Sequence, residues 1–366
     1  MRPVLLDRRS SQAGYTLIEL LVSTAIMVTV TGAIFSLMNP AQGNAQTQPE
    51  VADMQQRMRV GNDTLFKELV MSGAGPYQGP VTGALVNFFA PILPRRIGRV
   101  NPDPSTVFKD NTITLSYIPN SYSQTTISSS MPNVSAELKV TPQPNCPADA
   151  GNLCGFVEGM DVIIFDQSGS FDMFTITNVQ DSAAHLQHRG QDLSKPYDVG
   201  ASVTQIVSNT FYLDTQTNKL MRYNGGDADV PLVDNVVDLK FEYFGDPNPP
   251  LLPKPLAGEA NCLYDAAGNY RNLPTLNADE GSLASLPGAM LKDGPMCGGG
   301  TNQFDADLLR VRKVRVMMRV QAADPSLRGA STTMFKHPGT SRGGNKFVPD
   351  YTISFEVSPR NLNLTR

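Results

Sequence analysis

The sequence predicts an α+β protein in which a long N-terminal helix, apolar in its first half and amphipathic in its second, packs on a large, mainly antiparallel β-sheet domain. Three observations predict it. Between Tyr15 and Met38 the only charged side chain is Glu19, and these 24 residues, at about 1.5 Å of helical rise each, cover a hydrocarbon core of about 30 Å. Val51, Met54, Met58, Leu65 and Leu69 then recur at spacings of three, four, seven and four, an apolar stripe along one helix face. Near the C-terminus, Val314, Val316, Met318 and Val320 alternate with Arg315 and Arg319. Tyr351, Ile353, Phe355 and Val357 alternate in the same way with Thr352, Ser354 and Glu356. A period of two turns one face of each strand to a core and the other to water.

Residues 1–14 carry Arg2, Arg8 and Arg9 against Asp7. Such an excess of Lys/Arg holds its flank in the cytoplasm and places everything after Met38 outside the inner membrane. A secretory signal is cut after its apolar segment, whereas the small, flexible Gly14 stands before this one. A cut there leaves the helix on the mature chain, with Tyr15 as its amino terminus. Glu19, alone in the apolar run, is costly in lipid and must be either wet at the interface or paired. Asn39-Pro40 and Gly43 predict an interruption, and Thr47-Gln-Pro-Glu50 predicts a fresh capping box. Arg57, Arg59, Asp63, Lys67 and Glu68 fall between the apolar positions and stay in water, and Gly73-Ala-Gly-Pro76 ends the helix. The chain thus divides into a leader (1–14), a transmembrane helix (15–38), a second helical half after a kink (39–76) and a β-rich globular domain (77–366).

Residues 78–105 are rich in Pro and Gly and show no period. Runs at 112–118, 134–140, 161–165, 171–179, 203–207, 210–214 and 219–223 read as strands. Asp166-Gln-Ser-Gly-Ser170 and Thr215-Gln-Thr-Asn218 read as hairpin connections. Residues 245–304 form a long Pro/Gly-rich excursion that holds Cys262 and Cys297. Loops of this length are functional or poorly ordered, and a disulfide would limit the disorder.

Composition narrows the function. A chain of 366 residues with 40% hydrophobic content can bury a core, as two ordinary domains or one large all-β domain. The formal charge of −4, less the +2 of the leader (three Arg, one Asp), leaves −6 on the mature side chains, which argues against nucleic acid as a general partner. With no Trp and three His, His-based catalysis has little material. The four cysteines, Cys146, Cys154, Cys262 and Cys297, all lie in the exported part, where disulfides persist. Three pairings are open to them, of which Cys146–Cys154 with Cys262–Cys297 is the most local.

The basic leader, Gly14, Tyr15 and Thr16-Leu-Ile-Glu19-Leu20 before an apolar run resemble the N-terminus of the type IV prepilins, a family that includes the pseudopilins of type II secretion. The resemblance spans about a tenth of the chain, and Tyr15 stands where the family usually has Phe. It implies cleavage after Gly14 by prepilin peptidase and N-methylation of Tyr15. For Glu19 it implies a meeting with the positive amino terminus of a neighbouring subunit, which sets axial register and couples processing to assembly. In the distal half, Leu220-Met-Arg-Tyr-Asn-Gly-Gly226, Leu232-Val-Asp-Asn-Val-Val-Asp-Leu239, Lys240-Phe-Glu-Tyr-Phe244, the run Val311–Val320 and Arg360-Asn-Leu362 look like the PilW-type minor pilins. J-type pseudopilins share a similar order, but the loop after Phe244 makes this chain longer than is typical of them and favours the pilus. The implied role is a minor pilin that primes assembly and sits at or near the tip of a type IV pilus. Its implied partners are other minor pilins, the major pilin and the inner-membrane assembly platform, with no cofactor. The alternatives are a J-type pseudopilin at the tip of a type II secretion pseudopilus, and an adhesin or DNA-uptake tip presented by the 245–304 loop.

Other candidate chemistry is sparse. His185-Leu-Gln-His188 would place two imidazoles on one helical turn, but no Cys or carboxylate cluster completes a metal set. Asp227-Ala-Asp229 and Asp305-Ala-Asp307 resemble pieces of calcium loops without the remaining oxygens, and read as surface loops. Arg310, Arg312, Lys313, Arg315 and Arg319 read as a solvated strand face, since no aromatic side chains interleave to stack bases. Ser168-Gly-Ser170 has no base nearby in sequence, and no nucleophile–base or phosphate-loop pattern appears, so no enzyme is predicted.

Overall fold

The computed structural model describes residues 14–77, 82–144, 146–147, 151–226, 229–341 and 347–363. The basic leader, the side chains of 39–44 and Asp227 lie outside the described residues.

The first element is a single helix, α1 (Leu17–Met71), of 55 residues, about 80 Å long at ~1.5 Å per residue. The expected interruption at Asn39-Pro40 and Gly43, and a second start at Thr47, are therefore corrected: the helix runs through them. Proline removes one backbone bond at about 3 kcal/mol, and a helix already nucleated regains a bond with each residue beyond it. Glu50 does not cap. Its Oε1 accepts the Ala323 N–H at 2.7 Å and lies 3.5 Å from the Arg57 guanidinium, fastening the helix to the domain. Along the expected stripe, Met54, Leu65 and Leu69 are fully buried, with Val51 and Met58 partly so. The seven-residue gap before Leu65 holds Gly61, where a Cβ would stand 2.8 Å from Met318 Cε, so the bare backbone makes the contact there. Gly73 ends the helix with φ +79°, and its N–H donates to Ser116 O at 3.0 Å.

The strands of the domain are short and numerous. The first six are β1 (Ile92–Leu93), β2 (Thr112–Tyr117), β3 (Gln124–Ser129), β4 (Leu138–Val140), β5 (Asp161–Phe165) and β6 (Phe171–Thr175). Next come β7 (Asn178–Gln180), β8 (His185–Gln187), β9 (Ser202–Gln205), β10 (Val207–Asp214), β11 (Lys219–Tyr223) and β12 (Asp229–Asp234). The last are β13 (Val236–Gly245), β14 (Ala284–Leu286), β15 (Met296–Cys297), β16 (Phe304–Asp305), β17 (Val311–Val320) and β18 (Tyr351–Val357). They build a five-stranded sheet β1-β2-β10-β11-β12, a four-stranded sheet β14-β13-β17-β18, a seven-stranded sheet β6-β5-β9-β3-β4-β8-β7 and the small pair β15-β16. The long pairings are antiparallel, β13 with β17 and β17 with β18 among them. Both expected hairpins form, β5 with β6 and β10 with β11.

Two cores result. The larger joins the α1 stripe to the five- and four-stranded sheets, and the second lies on the far face of the seven-stranded sheet. β5 belongs to both, with Ile163 and Phe165 in the first and Val162 and Ile164 in the second. A strand covered on both faces reads as a continuous apolar run, which is what Val-Ile-Ile-Phe is. In β17 the alternation is complete, with Val314, Val316, Met318 and Val320 all fully buried. In β18, an edge strand, only Val357 is buried, Ile353 and Phe355 are half-covered and Tyr351 is exposed.

The 245–304 excursion is built into the domain. Leu263, Tyr264, Leu273, Leu286 and Leu291 join the larger core. Two buried guanidinium groups fasten its ends. Arg310 bonds Asp307 and donates to Pro247 O at 2.9 Å and Pro274 O at 2.7 Å. Arg95 donates to the carbonyls of Asp103, Thr301 and Gln303, and burial lowers its pKa to about 10.

Candidate functional site

The strongest candidate is the N-terminal segment itself. Leu17–Met38 is long and apolar enough to cross a membrane and none of it is buried against the rest of the chain. Thr24, Thr29 and Ser36 turn their hydroxyls back onto the carbonyls of Leu20, Ala25 and Ala33 at 2.8–2.9 Å. Their polar groups are thus satisfied within the helix, as a hydrocarbon solvent demands. Gly14 and Tyr15 precede the helix, exposed and without regular secondary structure. An endopeptidase needs its scissile bond accessible and unhelical, and here it is both.

Glu19 makes a local contact that the sequence analysis missed. Thr16 is the N-cap, with φ −74° and ψ 151°, and its Oγ1 accepts the Glu19 N–H at 3.4 Å. Glu19 Oε2 in return accepts the Thr16 N–H at 2.9 Å and the Thr16 hydroxyl at 2.8 Å. This is a complete capping box. The signal was legible, because Thr16-Leu-Ile-Glu19 has the same spacing that was assigned to Thr47–Glu50. Cleavage after Gly14 would put an ammonium on Tyr15, one residue from this box and at the positive end of the helix dipole.

The cysteines pair as Cys146–Cys154 and Cys262–Cys297. The second bridge closes the excursion from β15 and is buried at both ends.

Several expectations for the rest of the chain are corrected. His185 and His188 lie in and just after a strand, β8, not on a helical turn. His185 Nδ1 is 3.0 Å from Glu137 Oε1, while both ring nitrogens of His188 face carbonyls, of Gln191 at 2.6 Å and Ala136 at 2.8 Å, leaving no free ligand atom. Asp305 and Asp307 are buried, not in a surface loop, and with exposed Asp293 they gather carboxylate oxygens within 4.8 Å of one another. Protein donors already use them: Asp305 accepts the N–H of Asp307 (2.9 Å) and Gly294, and Asp307 holds Arg310. Burial raises the Asp305 carboxyl to about 6 against those bonds and pushes Asp307 up as well. Asp229 serves Arg96 at 3.0 and 3.1 Å.

The basic strand is mostly spoken for. Lys313 and Arg315 bind Glu356, Arg315 also meets Glu242 at 3.1 Å, and Arg319 holds Asp350 at 2.9 Å. Arg310 is fully buried, contrary to its reading as a solvated position. Ser168 does acquire an amine from far along the chain, Lys195 at 3.2 Å. That amine donates to Asp166 Oδ2 at 2.5 Å as well, so it is engaged as a donor and does not face Ser168 as a base.

Residues 9–35 match the model of the prokaryotic N-terminal methylation motif. No curated protein and no solved structure matches the chain. The match covers the site described above and supports a pilin or pseudopilin type of protein, anchored in the membrane, processed by prepilin peptidase and assembled with other pilins.

Proposed function

We propose that this chain is a minor pilin that primes assembly of a type IV pilus and sits at or near its tip. Prepilin peptidase removes residues 1–14, Tyr15 is methylated, and Leu17–Met38 holds the subunit in the inner membrane with the β-rich domain outside. In this reading Glu19 sets the register by meeting a neighbour's terminus. The observation that carries the proposal is the continuous α1, bare along its apolar half and packed on the domain along the other. A bare apolar half serves first the membrane and then neighbouring helices, without refolding of the domain. The bulk of the head supports a place at the end. Its seven-stranded sheet and second core stack beyond the sheets that hold α1, and heads in a shaft are flanked on every side. Affinity purification of the tagged, processed protein from membranes tests the reading. Recovery with other minor pilins of a pilus is the expected result. Recovery with type II secretion pseudopilins would replace it with the pseudopilus reading, and recovery with neither would overturn both.

A further inference from the structure

A cavity of about 670 Å³ opens where the β5–β6 turn, the 195–202 segment and residues 256–260 of the excursion converge. Its size is that of a small-ligand or side-chain pocket. Phe88 and Phe165 form its apolar wall, their rings 5.1 Å apart. At its rim Val199 and Leu256 are 63% and 59% exposed, which is uncommon for large aliphatic side chains facing the same opening. Three carboxylates line the cavity, Asp166, Asp198 and Glu259, against one ammonium, Lys195, which leaves two negative charges. Lys195 is neutralised by Asp166 at 2.5 Å. Asp198 and Glu259 bond through their backbone, to the Ala201 N–H and the Leu256 carbonyl, while their carboxylates have no hydrogen-bond or ion-pair partner among the described residues. Lys254, the other cation nearby in sequence, has its amine 5.9 Å from the centre of the Tyr264 ring and does not line the opening.

We propose that this cavity binds a basic side chain, lysine or arginine, presented by a partner polypeptide. Such a side chain carries an aliphatic stem under a charged head. The stem fits the Val199–Leu256 rim and the head reaches Asp198 and Glu259. A free anion finds no unengaged cation here, and a wholly apolar ligand would leave two carboxylates desolvated without a partner. The proposal stands whichever filament the chain joins, because it uses no part of α1.

The test uses the full chain in detergent micelles. The sequence has no tryptophan, so Val199→Trp supplies a single indole at the rim, excited at the red edge of its absorption apart from the 11 tyrosines. Calorimetry on the unsubstituted chain checks that the indole itself does not block entry. The probes are an acetylated, amidated Leu-Lys-Leu peptide and its norleucine and glutamate counterparts. Saturable binding of the lysine peptide is expected, weakened roughly tenfold by the norleucine replacement or by Asp198→Asn with Glu259→Gln, and by added salt. Those two carboxylates support no fold contact, so the double variant should melt like the parent. Equal binding of lysine and norleucine peptides, unchanged binding by the double variant, or no binding of the lysine peptide at millimolar concentration would each overturn the proposal.

Discussion

Glu19 has a partner within its own chain, and that changes how its replacement should be read. Glu19→Ala removes both the capping acceptor and the charge, whereas Glu19→Gln keeps an acceptor for Thr16 and removes only the charge. If the charge meets a neighbour's terminus, both variants should be made and cleaved normally yet be depleted from sheared filaments by about a hundredfold or more, since breaking a buried pair on one side costs about 3–5 kcal/mol. Filament entry by Glu19→Gln at the parental level would assign Glu19 to the cap alone. Gly14→Leu should act earlier, since a branched side chain beside the scissile bond blocks the peptidase. The precursor stays fourteen residues longer, and mass analysis of the N-terminus reads this directly; any start other than methylated Tyr15 in the parent would refute the cleavage site. Asp305 makes a residue-level prediction in the domain. Its carboxyl, raised by burial to about 6, binds its proton more tightly folded than unfolded, where it titrates near 3.9. The cost of ionising it is absent below about pH 4, grows to about pH 6 and is constant above, so this group lowers stability as pH rises through that window. Asp307 and Asp293 face it and Arg310 binds Asp307. Asp305→Asn should flatten the pH 4–6 slope by on the order of 1–3 kcal/mol in urea melts; parallel curves for parent and variant would show that another group sets the slope.

At the scale of elements, the legible parts were those whose pattern is local. The α1 stripe, the run of β5, the two hairpins and the alternation of β17 follow from spacing alone. Gly61 reads as a missing stripe member, and only the approach of Met318 explains it. β3 and β8 escaped notice because Thr, Ser, His and Gln carry their faces, with no apolar period to mark them. The excursion misled for the opposite reason. Its Pro/Gly content predicts a loop that buries little, but its leucines reach the core one at a time, held by Arg95, Arg310 and the Cys262–Cys297 bridge. That bridge spans 35 residues, and the chain-entropy model gives it roughly 3–4 kcal/mol. Because the spanned leucines sit in the main core, paired Cys262→Ser and Cys297→Ser should lower the stability of the whole domain by about that amount in one cooperative transition. A separate early transition, with the main one unmoved, would show that the excursion docks as an independent unit. Four reactive thiols in unfolded, unreduced protein from the periplasm would remove the premise.

For the whole molecule, the question is where the anchor stops and the domain begins. The expected divide was a break in the helix near Pro40, yet α1 is continuous and the divide is one of contact, not of secondary structure. None of Leu17–Met38 is buried, whereas Glu50 bonds to Ala323 and Val51 and Met54 pack on the domain. A helix segment without tertiary contacts contributes little to the stability of the part that has them, since isolated helices in water are marginal. A fragment lacking residues 1–44 should therefore be soluble without detergent. It would keep every member of both cores. Its thermal midpoint should lie within roughly 4 °C of the full chain's, a difference of about 3 kcal/mol for a domain of this size. Circular dichroism on both proteins in the same detergent measures it. A larger fall, or loss of the cooperative transition, would mean that the bare half of α1 stabilises the domain at a distance, and that membrane extraction and folding of the head are one event and not two.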